Sequence, residues 1–159
     1  MRIPIGAVIV SIFAVAWTAA GARNLGRTWF RVLLFAAILI STALIYVGGH
    51  VAAARPPTFN AKAYTVAVTL EAVLILLAVI ILRITGRKYL LLPVISIIVG
   101  LHFFGMVPAL GSSLYWWIGG AMSLLPIFTL SVLPRDFWDP VVGLGCALIL
   151  WCAVVCAFF

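Results

Sequence analysis

Six apolar stretches, at residues 3–22, 32–53, 63–82, 89–110, 114–133 and 141–159, leave this chain few ways to fold. Each is close to the ~20 residues that an α-helix needs to cross a hydrocarbon layer of about 30 Å. Backbone N–H and C=O groups in that layer find no water, so each span must satisfy them internally. The sequence therefore predicts an all-α integral membrane protein, a single transmembrane domain over residues 1–159 with a bundle of about six transmembrane helices. Composition agrees: 67% of the residues are hydrophobic and 8% are charged, too little polar surface for a soluble domain of this length. The net charge of +7 does not point to nucleic acid. The basic residues occupy short gaps between apolar runs, as membrane orientation signals do, and no nucleic-acid-binding motif accompanies them.

The gaps set an expected topology. Arg23, Arg27, Arg31, Arg83, Arg87, Lys88 and Arg135 fall in the connections after the first, third and fifth helices, whereas Arg2, Arg55 and Lys62 fall on the opposite side. That bias predicts a cell (plasma or inner) membrane protein with both termini outside. Ala20 and Ala22 resemble a signal-peptide cleavage site, but Arg2 alone precedes the first run whereas Arg23, Arg27 and Arg31 follow it, so a retained helix is expected. Arg23, Arg27 and Arg31 would form one stripe if their connection were helical, with Trp29 and Phe30 at the headgroup level. Tyr115-Trp116-Trp117 is a second interfacial aromatic group.

Two residues break the apolar pattern. Glu71 is the one acidic residue within an apolar run, and His102 lies near the middle of the next. A turn centred near Gly86 would fold these helices antiparallel. Glu71 would then lie about 12 Å below the outer end of its helix and His102 about 13 Å below the same face, from a rise of about 1.5 Å per residue. A carboxylate in hydrocarbon is costly and must face the protein interior, become protonated or take a partner. His102 is the natural partner, with Tyr46 and His50 near the outer end of the second helix as secondary candidates. Imidazole titrates near neutral pH, so these four residues are candidates for binding protons or a small polar ligand. The alternative is a Glu–His bond that only locks two helices together in a structural or accessory subunit.

No catalytic residue set, zinc-protease motif, phosphate loop or cofactor signature is present, so no catalytic residue, metal or cofactor is assigned. One glutamate and one or two histidines are too few ligands for a closed zinc site. Cys146, Cys152 and Cys156 all lie in the last run, and an odd number within one helix reads as packing and not as a disulfide framework. Pro108 leaves the Phe104 carbonyl without its helical donor, predicting a kink or helix end, and Pro126 does the same to Met122. The partners expected are the lipid bilayer, protons or a small polar ligand, and either a second copy or another subunit, because apolar helix faces suit both lipid and protein.

Gly100-Leu101-His102-Phe103-Phe104, followed by Tyr115-Trp116-Trp117 and Gly119, resembles a small family of prokaryotic multi-pass membrane proteins of unknown function. That family has a G-L-H-F-x core, a tyrosine–glycine pattern in the next helix and a glutamate in the preceding one. Glu71 within Val68-Thr69-Leu70-Glu71-Ala72-Val73 matches the last feature. The resemblance spans residues 64–120 and departs from the pattern at Gly105-Met106, where a proline often stands. It implies the six-helix reading and the importance of Glu71 and His102, but no activity.

Overall fold

The computed structural model describes residues 5–50 and 59–157. The chain is an all-α integral membrane protein. Its described residues form six α-helices and no strand: α1 Ile5–Ala22, α2 Arg27–Gly48, α3 Ala61–Ile84, α4 Leu91–Leu110, α5 Leu114–Val132 and α6 Trp138–Cys156. Short 3₁₀ turns at Lys88–Leu90 and Arg135–Phe137 lead into α4 and α6. The spans containing α2 to α6 are long and apolar enough to cross a membrane, and α1 is apolar but shorter within the described residues.

Helix ends differ from expectation mainly at α2, which starts at Arg27 and not at 32. Arginine stems are long enough to carry their charge to the headgroups, so a helix can begin among them. Arg23 does not join the stripe, because Gly26 adopts φ 90° between it and α2. A positive φ, which glycine adopts without steric cost, lets the chain change direction just before α2 starts. Arg23 instead reaches Asp139 in the first turn of α6, at 3.7 Å. The expected end of the second helix at 53 lies outside the described residues.

The chain divides into two compact units, 1–55 with 139–159, and 56–138. The first contains α1, α2 and nearly all of α6. Gly21 of α1 and Gly143 of α6 meet backbone to backbone, and a Cβ added at Gly21 would stand 2.8 Å from the Gly143 Cα. Small residues permit this approach, and close packing is what holds membrane helices together. Nearby, Trp151 Nε1 donates to Ser41 Oγ at 3.0 Å, and Ser41 Oγ donates to the Ser11 carbonyl at 3.3 Å. A polar chain thus links all three helices of this unit.

In the second unit α4 runs antiparallel to both α3 and α5. Gly86, at φ 70°, makes the turn after α3, and Gly111, at φ 66°, ends α4 just beyond Pro108. Asn60 fixes the opposite end of the α3–α4 pair. Its side chain accepts from the Ala63 N–H at 3.1 Å, capping α3, while its own N–H donates to the Ala109 carbonyl at 2.8 Å. Gly100 of α4 packs on Gly119 and Ser123 of α5, a seam that admits no larger side chain. Pro126 frees the Met122 carbonyl, and Ser96 Oγ donates to it at 2.8 Å. A facing hydroxyl therefore replaces the lost backbone donor, and α5 continues through the proline to Val132. α3 contrasts with its neighbours: Ala67 and Leu82 are its buried residues, and most of its surface is open to lipid or to another chain.

Candidate functional site

The second unit brings Glu71 and His102 into direct contact. His102 Nδ1 lies 3.3 Å from Glu71 Oε2 and 3.2 Å from the Ala67 carbonyl oxygen. The contact follows from the fold. The turn at Gly86 sets the register of α3 against α4, and Gly105 lets Ala67 approach so closely that an added Cβ would lie 3.1 Å from the Ala67 Cβ. Short residues thus draw α3 within reach of an imidazole on α4. The His102 ring is held edge-on by Phe103 at 5.7 Å, and Phe103 stacks on Tyr115 of α5 at 6.0 Å. All three helices of the unit therefore share in placing the imidazole.

A carbonyl oxygen can only accept, so Nδ1 must carry the hydrogen when it bonds to Ala67. In an α-helix that same oxygen also takes the Glu71 N–H, four residues on. With Nδ1 as donor, the neighbouring carboxylate can share its hydrogen, and both contacts are made through this one nitrogen. The His102 side chain is 8% exposed and Glu71 19%, so the imidazole is enclosed while the carboxyl group keeps an opening.

A groove of about 430 Å³ runs beside the pair between α3 and α4. Asn60 and Lys62 stand at its polar end, and Ala63, Ala67, Gly105 and Pro108 line its apolar length. Its walls include Ala67, whose carbonyl holds His102, although neither member of the pair lines the groove itself.

Tyr46 and His50 belong to the first unit and pair with each other. Their rings lie 4.5 Å apart, and His50 Nδ1 is 2.8 Å from the Tyr46 carbonyl, so His50 satisfies an exposed group at the end of α2. Both side chains are exposed. Sequence reasoning missed the Ala67 carbonyl as a second acceptor for His102. The available signal was spacing, because Ala67 precedes Glu71 by one helical turn and faces the same neighbour. Among the described residues, no group of three or more His, Cys, Asp or Glu side chains could hold a metal ion. No family model, curated protein or solved structure matches the chain.

Proposed function

We propose that this chain is a small transporter-like protein of the cell membrane that binds a proton at Glu71–His102. The observation that carries this reading is the 3.3 Å contact between a partly open carboxyl group and an enclosed imidazole within apolar helices. Ionisable side chains are expensive at that depth and commonly mark ion or proton pathways. The groove supports the same reading, because it runs from a polar entrance at Asn60 and Lys62 along apolar walls to Ala67, one helical turn before Glu71. With both termini outside, as the basic residues favour, this entrance opens to the exterior.

Glu71→Gln keeps the size and hydrogen-bonding reach of the side chain but removes its titration. In sealed vesicles with an imposed pH gradient, the wild-type protein should carry protons and Glu71→Gln should reduce the flux at least ten-fold, about 1.4 kcal/mol of added barrier. Equal flux in the two proteins, or none above empty vesicles from the wild type, would reject proton coupling.

The second reading is a scaffold, favoured by the bond from His102 to the Ala67 backbone, which ties α4 to α3 without needing the carboxylate. A scaffold predicts lower stability without His102 and no flux from any form of the protein.

A further inference from the structure

At the end of the second unit opposite the Asn60 groove, α3 finishes, α4 begins and the 3₁₀ turn after α5 folds over them. Arg83, Arg87, Lys88 and Arg135 gather there; the exposed Asp136 follows Arg135, and Asp139 in the first turn of α6 is taken up by Arg23. Neither ion pair among the described residues involves any of these four cations.

The cluster has an ordered centre. The Arg135 guanidinium carbon sits 3.7 Å from the centre of the Tyr89 ring, and the Trp138 ring lies 6.1 Å from Tyr89. Trp138 is fixed in turn, because its Nε1 donates to the Leu133 carbonyl at 2.9 Å. A cation–π contact holds a guanidinium through the ring face and leaves its N–H fork free for another acceptor. Lys88 shares the 3₁₀ turn with Tyr89 and Arg87 immediately precedes it, so an ammonium and a second guanidinium are carried on the same short turn. Aromatic rings and long basic side chains at helix ends are suited to the boundary between headgroups and acyl chains.

We propose that Arg135, Lys88 and Arg87, arranged about Tyr89 and Trp138, form a binding site for the phosphate headgroup of an anionic phospholipid. The two guanidinium groups and the Lys88 ammonium take the phosphate oxygens, and Tyr89, Trp138 and the adjoining helix surfaces receive the glycerol and upper acyl chain. A free phosphate ion would use the cations alone and gain nothing from the aromatic walls.

The test is native mass spectrometry of the full chain in neutral detergent, titrated with phosphatidylglycerol or phosphatidylcholine. The wild type should retain phosphatidylglycerol preferentially, and the triple variant Arg87→Gln/Lys88→Gln/Arg135→Gln should bind it at least about ten-fold more weakly. The control Arg27→Gln/Arg31→Gln, on α2 of the other unit and sparing Arg23 because it pairs with Asp139 beside Trp138, should keep most of the wild-type affinity. Equal losses per cation removed in the two variants would show diffuse charge attraction and overturn the proposal. One arm uses the wild type alone: soluble glycerol phosphate should compete poorly with the lipid, and competition at equal concentration would identify an ordinary anion site instead.

Discussion

Gly119→Val should unfold or displace the α4–α5 hairpin, whereas Gly120→Val, one residue away, should leave it intact. A Cβ at Gly119 would stand 2.8 Å from the Gly100 carbonyl oxygen and 2.9 Å from the Phe104 ring, and a carbonyl in a helix cannot step aside. At Gly120 nothing lies within 4 Å. Overpacking of this kind costs about 3 kcal/mol, while an open surface position changes stability by about 0.5 kcal/mol or less. Thermal unfolding of the two variants in the same detergent checks this, and comparable melting temperatures would mean that the two helices do not meet on this face.

The second large effect concerns His102. His102→Leu removes the donor to Ala67 and leaves Glu71 as a partly buried carboxyl group without its partner. The combined loss should be about 2 kcal/mol, near the upper end for bonds between membrane helices because an acidic group is stranded. If the stranded carboxyl is the cause, replacing it as well should recover part of the loss. Glu71→Leu/His102→Leu should be more stable than the sum of the two single variants implies, by about 1 kcal/mol. Strictly additive losses would show that the two side chains contribute independently despite their 3.3 Å separation.

These two sites differ in how far the sequence reveals them. Apolar run length is enough to place six helices, because a hydrocarbon layer leaves an unpaired backbone no other partner. The meeting of Glu71 and His102 is also readable in advance, since they stand nearly equal distances before and after the turn at Gly86. Helix rise converts that symmetry into a shared depth. The lateral arrangement is less accessible. Trp151 bonding to Ser41 requires knowing which faces of α2 and α6 meet, and the helices are apolar all round, so their periodicity does not say. The start of α2 at Arg27 was hidden for a related reason. Charged residues read as a gap between spans, yet long basic side chains allow the helix beneath them to continue. Ser96 lies between these cases. The proline at 126 announces a carbonyl in need of a donor, but only the packed hairpin identifies which hydroxyl supplies it.

The claim that Glu71 holds a titrating proton inside the membrane is tested most directly by infrared difference spectroscopy of the protein in bilayers. Protonation of a carboxylate creates a carboxylic-acid C=O absorption, and the chain has few other acidic side chains, Asp136 and Asp139, to contribute. The prediction is a pH-dependent carboxylic-acid band in the wild type that disappears in Glu71→Gln and shifts in His102→Leu. A spectrum in which Glu71→Gln retains every pH-dependent carboxyl band would contradict the account.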